Sequence, residues 1–290
     1  MRSTQLRSFH AVAEAGGFMA GAALLRVSQP TLTAQVAELE REYGIELFHR
    51  RNRRTELTAA GKDLHRITTR LFAEEREARD FLAQSKGLKT GLLRVGAVGP
   101  YHATEMLSAF GKRYPGIRID VSIGNSADMR RDLLDYRTDI AVLAHLDDDP
   151  RLLTLPYRRH RILVFVRKDH RLSKRKSVRM AELAGERIVA REAGSTTRRA
   201  FEAAAKAKGM ALDPAIVIGS REAIREAVIR GLGIGYVSEA EFVPDPALKA
   251  IALADADIHT EAHVVVLADR RHERMIRAFL DVVEALRKKR

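Results

Sequence analysis

The hydrophobic period of this chain changes once, near residues 86–91, and that change limits what it can fold into. From Thr4 to about Phe81 apolar residues recur at spacings of three and four, and Pro30 is the only proline in the stretch, which predicts an almost wholly helical segment. From residue 92 onward short β-rich runs at 92–98, 117–123, 139–144, 161–166, 187–190, 215–218, 234–237 and 263–267 alternate with helical stretches. Such alternation predicts βα units around a largely parallel sheet. At 290 residues the chain also exceeds what one core organises, so two or three compact units are expected.

The helical segment has a specific internal order. Residues 22–27 read as a short helix, Ser28 is placed to cap the next one, and Pro30 fits a first turn whose amides lack helical acceptors. That is a helix-turn-helix. With Leu32, Val36 and Leu39 as the buried stripe of its second helix, Gln29, Thr31, Thr33 and Gln35 are expected to face outward from the N-terminal half. Glutamine suits adenine, and threonine suits a hydrogen bond or a thymine methyl. The run His49-Arg50-Arg51-Asn52-Arg53-Arg54 then places four guanidinium groups in a turn, as a wing that grips phosphate or enters the minor groove would. An arginine run alone is an ordinary solvated face; the order of capped helix, polar face and basic turn is what points to double-stranded DNA.

Thr58 is placed to cap a long helix over residues 59–85, with Leu64, Ile67, Leu71, Ala78 and Leu82 along one side. A narrow apolar stripe of this kind wants a partner helix, and a second copy of the chain would set two recognition helices about a two-fold axis. A homodimer or homotetramer is therefore expected.

Composition narrows the classes further. Cysteine is absent, which excludes a disulfide framework, thiolate metal sites and cysteine nucleophiles. The excess of 51 Lys+Arg over 38 Asp+Glu, a net charge of +13, favours polyanionic partners. The N-terminus lacks the apolar core of a signal peptide and no apolar run approaches the ~18 residues of a membrane span, so a cytoplasmic protein without a membrane partner is expected.

Over its whole length the sequence resembles the LysR-type transcriptional regulators. The stretches VSQPTLTAQVAELE and LFHRRNRRTELTAAG, followed by the long helix, carry the resemblance, with Met19-Ala20 and Ala34 departing from the family's usual residues. The resemblance implies a winged helix-turn-helix domain over residues 1–58, a linker and dimerisation helix over 59–90, and a two-lobed α/β effector domain over 91–290. In it, residues 91–160 and 264–290 form one lobe and 161–263 the other, and a small effector binds between them.

The residues themselves support a cleft. In open α/β sheets ligands bind beyond the carboxyl ends of strands, where helix N-termini present unpaired amides. Four loops fit that position: Gly99-Pro100-Tyr101-His102, Gly124-Asn125-Ser126, Gly194-Ser195-Thr196-Thr197 and Gly219-Ser220-Arg221-Glu222. Glycine, hydroxyl, amide and guanidinium groups together suit a small anion. The stretches YHATEMLSAF, IGNSADMRRDLLDYRTDIAV, REAGSTTRRAF and IGSREAIREAV further resemble a branch associated with 2-aminoethylphosphonate catabolism. That zwitterion needs an acidic partner for its ammonium, with Glu222, Glu239 and Asp128 as the candidates.

Two other classes compete. An enzyme would need a motif that is missing, since there is no GxSxG or GxxxxGK[ST], and Gly231-Leu232-Gly233-Ile234-Gly235 precedes a strand when a dinucleotide loop should follow one. His259 and His263 are spaced for a metal only on a helix, and they open an extended run, so no metal site and no cofactor is assigned. A DNA-architectural protein gains support from the basic stretch 167–179, but would not require so large a sensor-like region. A solute-binding α/β domain fused to a DNA-binding module is the remaining alternative.

Overall fold

The computed structural model describes residues 1–49, 55–83, 88–144 and 148–288, which divide into two compact units, Met1–Ser85 and Lys86–Arg290. In the first unit, α1 (Ser3–Ala15) ends at Gly16, whose left-handed backbone (φ 70°) closes the helix, and α2 (Phe18–Leu25) begins two residues later. This helix starts four residues before the predicted one because the turn falls at Gly16-Gly17, and it stops at Arg26 in the left-handed region. Helix α3 (Gln29–Tyr43) is capped as its sequence predicts, Ser28 Oγ accepting from the Thr31 amide at 3.2 Å. Leu32, Val36 and Leu39 are buried against Leu6, Phe9 and Val12 of α1, with Leu47 and Phe48 closing the core.

Strands β1 (Phe48–His49) and β2 (Glu56–Leu57) pair antiparallel as the two arms of a hairpin, and Glu40 of α3 positions the first arm by accepting from the Leu47 amide at 2.8 Å. Thr58 caps α4 (Ala59–Ala83), its Oγ1 accepting from Gly61 N at 3.0 Å and donating to Glu46 O at 2.7 Å. Helix α4 divides its apolar residues between two directions. Phe72 and Ala73 are buried and Leu64 packs on the core, whereas Ile67, Leu71 and Leu82 stay exposed at 63%, 47% and 71%.

In the second unit β3 (Gly91–Ala97) pairs parallel with β4 (Ile117–Ile123) and β5 (Ile140–Ala144), and the helices α5 (Pro100–Arg113) and α6 (Ser126–Leu134) connect them. The sheet is mixed, not largely parallel. A 16-residue strand, β6 (Leu152–Arg167), leaves the first lobe and enters the second, and β12 (His259–Leu267) returns antiparallel to both β6 and β5. Only the last third of β6 is apolar enough to read as a strand. Residues 152–160 carry Pro156 and three basic side chains, and the structure accommodates the proline at a bulge where the register with β12 shifts.

In the second lobe β10 (Gly235–Ser238) and β11 (Leu248–Leu253) pair antiparallel with β6, and β7 (Ser177–Val178) extends that edge parallel to β11. Strands β8 (Val189–Arg191) and β9 (Ile216–Ile218) form a parallel pair followed by α7 (Thr196–Ala207) and α8 (Arg221–Ile229). The terminal helix α9 (Arg274–Lys288) returns to the first lobe, where Ile276, Phe279 and Val283 pack with Met106 and Phe110 of α5. Each lobe thus has its own core, and β6 and β12 are the strands that run between them.

Candidate functional site

On α3, Ser28, Gln29, Pro30 and Thr31 form an exposed N-terminal turn, with Gln29 Nε2 donating to Thr33 Oγ1 at 3.4 Å. Thr33 is half-buried. Gln35 differs from the outward expectation: its side chain accepts a hydrogen bond from Ser8 of α1, because position 35 lies beside the buried stripe. The outward residue of that turn is Ala34. Arg50, Arg51, Arg53 and Arg54 lie outside the described residues.

The four donor-rich loops of the second unit all open helices, and the fold brings them together in pairs from opposite lobes. Ser126 begins α6 and Thr196 begins α7; Ser126 Oγ donates to the carbonyl of Ala144 at 3.2 Å, and the single proton of Thr196 Oγ1 is shared between Ser126 Oγ at 2.7 Å and the same carbonyl at 3.0 Å. Asn125 caps α6 by accepting from Asp128 N at 2.9 Å, and its amide group lies against Gly194, where a Cβ would stand 2.6 Å from Oδ1. This close approach accounts for the glycine. Ser195 caps α7 and, like Thr197, is buried.

The second pair joins α5 to α8. Ser220 caps α8 by accepting from Ala223 N at 3.2 Å, and its own proton goes to Glu222 at 2.7 Å. Arg221 reaches across the cleft to donate to the carbonyl of Val98 and pairs with Glu241 at 2.6 Å. Glu241 in turn lies against Gly99, the cap of α5. Burial pushes the Glu241 carboxyl up, and the adjacent Arg221 and Arg191 oppose that shift. Tyr101 is exposed. His102 is buried between Tyr101, Tyr157 and His160, stacking on His160 with ring centroids 4.9 Å apart. Burial, reinforced by His160, lowers the His102 pKa from 6.5 to about 4, so the ring is neutral at pH 7. Glu239 is exposed and acts on His160 from the turn after β10.

Sequence reasoning missed the most informative residue. Arg191 ends β8, immediately ahead of the Gly194 loop, and only 5% of it is exposed. Its Nε and Nη2 bind the carboxylate of Glu192 at 2.7 and 2.9 Å, while Nη1 is buried with no hydrogen-bond partner. A buried guanidinium N–H without an acceptor is costly, and it is a donor held ready for an anion. Its place at a strand end was legible; its burial was not, since an arginine is expected at the surface. Of the proposed ammonium partners, Asp128 is engaged by Asn125 and Arg131, both at 2.7 Å, and Glu222 by Ser220.

This architecture, a helix-turn-helix unit ahead of two α/β lobes with polar helix starts between them, has known relatives. Residues 3–62 match the bacterial regulatory helix-turn-helix protein, lysR family, and residues 86–287 match the LysR substrate binding domain. The chain belongs to the LysR family of transcriptional regulators.

This LysR-type regulator is 31% identical to the transcriptional regulator CbbR of Xanthobacter flavus over 97% of this chain and 86% of that one. It is 29% identical to the RuBisCO operon transcriptional regulator of Allochromatium vinosum over 81% of this chain and 78% of that one. Among solved structures, full-length CbnR complexed with its target DNA superposes with a TM-score of 0.73 at 20% identity, covering 98% of this chain and 99% of that one. The regulatory domain of Synechocystis CcmR in complex with 2-PG superposes with a TM-score of 0.63 at 25% identity, covering 69% of this chain and 98% of that domain. Its relatives are regulators and not enzymes. Among the described residues no helix is long and apolar enough to cross a membrane. His259 and His263, both on β12, pair separately with Asp257 at 3.4 Å and Glu261 at 3.8 Å.

Proposed function

We propose that this LysR-type regulator reads a specific DNA site as a homodimer or homotetramer in the cytoplasm and is switched by a small anion bound between the lobes of residues 91–290. The reading divides the chain into a DNA-binding domain over 1–58, a dimerising helix over 59–90 and the two effector lobes. Gln29, Thr31 and Thr33 contact bases, Ser28 and Pro30 set the helix start, and Gln35 holds α3 on α1. Arg50, Arg51, Arg53 and Arg54 contact the DNA backbone or minor groove.

The unpartnered Nη1 of Arg191, buried where α7 begins, carries the effector proposal. An anion accepting from it would also draw on the amides at the starts of α6, α7 and α8 and on the Ser195 hydroxyl. The Ser126 hydroxyl donates to the Ala144 carbonyl and the Thr196 hydroxyl faces Ser126 Oγ and the same carbonyl in this state, so both join the ligand only by exchanging those bonds. Tyr101, His102, Asn125, Thr197, Ser220, Arg221 and Glu239 line the same cleft. Within this class, 2-PG is bound by the related CcmR domain, and 2-aminoethylphosphonate is suggested by the loop sequences; none of the relatives named above refers to a phosphonate. Glu239 is the acidic partner left for an ammonium group.

The test is a thermal-shift titration of the full chain with 2-PG, 2-aminoethylphosphonate, inorganic phosphate, sulfate and simple carboxylates. Ligands that bind the folded state raise the melting temperature through linkage. At least one anion should do so, and Arg191→Gln should abolish the shift. Equal shifts in Arg191→Gln and the parent protein would refute the site.

A further inference from the structure

The first unit contains a ligand set that DNA binding does not use. His10 and Glu14 are four residues apart on α1 and therefore share a face, and His65 approaches them from α4. One donor atom from each of the three side chains lies within 4.8 Å of the other two. Among the described residues no other group of three His, Asp or Glu side chains comes together in this way.

The hydrogen bonds prepare these groups as ligands. Thr68 Oγ1 donates its only proton to the carbonyl of His65 at 3.1 Å, so at 3.1 Å it accepts from His10 Nδ1. That fixes the tautomer of His10 with its lone pair on Nε2, the role an outer-shell partner plays for a metal-binding histidine. His65 Nε2 lies 2.8 Å from Glu14 Oε1, the two side chains being partly exposed at 16% and 29%. Of the nearby cations, Arg7 is neutralised by Glu75 at 2.6 Å.

We propose that His10, Glu14 and His65 form a binding site for a divalent first-row transition metal, of which zinc is the representative, tying α1 to α4. Two imidazoles and a carboxylate with a fourth position open to water are a recurrent zinc set. With metal bonds of about 2.0–2.1 Å, tetrahedral ligands stand about 3.3 Å apart. The widest separation therefore closes by at most about 1.5 Å, which side-chain torsions of the exposed Glu14 and the partly exposed His65 supply. For His65 to ligate through Nε2, the proton that this atom shares with Glu14 moves to Nδ1 by exchange with solvent, so the ring binds as a neutral imidazole. The bound ion would fix the helix that supports α3 to the helix that carries the exposed stripe.

The experiment titrates the untagged full chain with cobalt(II), whose visible absorption reports tetrahedral nitrogen and oxygen ligation, and then displaces it with zinc. One equivalent should bind with intense visible bands and raise the melting temperature. His65→Gln and Glu14→Gln, both outside the apolar core of this unit, should each weaken binding at least tenfold, and Thr68→Val by about 10- to 100-fold. His259→Gln, distant in sequence and in the other unit, should bind as the parent does. Absence of the visible bands in the parent protein, or parental binding by His65→Gln and Glu14→Gln, would overturn the site.

Discussion

The contact between Thr196 and Ser126 is one place where buried side chains join the two lobes, and its removal gives a quantitative test of the cleft. Thr196→Val keeps the shape of the residue, which is only 7% exposed, and deletes the one hydroxyl proton shared between Ser126 Oγ at 2.7 Å and Ala144 O at 3.0 Å. A net hydrogen bond is worth about 0.5–1.5 kcal/mol, and stranding the buried acceptor of Ser126 adds to that, giving roughly 1–2 kcal/mol. For a domain of roughly 200 residues this lowers the melting temperature by about 2–8 °C. Calorimetry of the full chain, following the transition of residues 86–290, measures it. Ser126→Ala removes the same bond from the other side while leaving Thr196 its bond to Ala144. The double variant should therefore be less destabilised than the two singles added together, by at least about 0.5 kcal/mol. Additive single effects, or a neutral Thr196→Val, would mean that the hydroxyls do not hold the lobes together.

Other consequences follow from the same geometry. Leu71→Glu places a charge in the exposed stripe of α4 and should lower the oligomeric state in sedimentation; an unchanged state would remove α4 from the interface. Gln29→Ala should weaken binding to the specific site by about 1–3 kcal/mol and leave random duplex nearly unaffected, which anisotropy against both DNAs would check. His102 is neutral in the folded state at pH values where the unfolded residue is charged, so the unfolded chain binds more protons between about pH 4 and 6.5. Its contribution therefore makes stability fall as pH drops through that window, with His160 and Arg158 reinforcing the shift caused by burial and Glu105 opposing it. His102→Asn should flatten that part of a melting-temperature profile, and an unchanged slope would place the titration elsewhere.

Much of this was readable from residue order alone. Ser28, Pro30 and the Leu32, Val36, Leu39 stripe specify α3 because capping and period are local signals, and Thr58 marks the start of α4 for the same reason. The four helix starts that face each other across the lobes were likewise visible as glycine and hydroxyl clusters after strands. What stayed hidden depends on distant partners. β6 owes its length to pairing with β12, which overrides the proline and basic residues of its first half. Gln35 turns inward because Ser8 of another helix meets it, and Arg191 is buried at the end of β8 with Glu192 holding its guanidinium. The proposed metal ligands His10 and His65 stand 55 positions apart in the sequence, and only the packing of α1 on α4 brings them together.

The account rests on an anion at Arg191 changing how the chain engages DNA. Footprinting of the full-length protein on the DNA upstream of its own reading frame, with and without an anion that raises its melting temperature, tests this most directly. The prediction is a protected site of two related halves in the parent protein, whose pattern changes when the anion is added, while Arg191→Gln protects the same DNA with a pattern that the anion leaves unaltered. An identical footprint of the parent protein with and without the anion would contradict it.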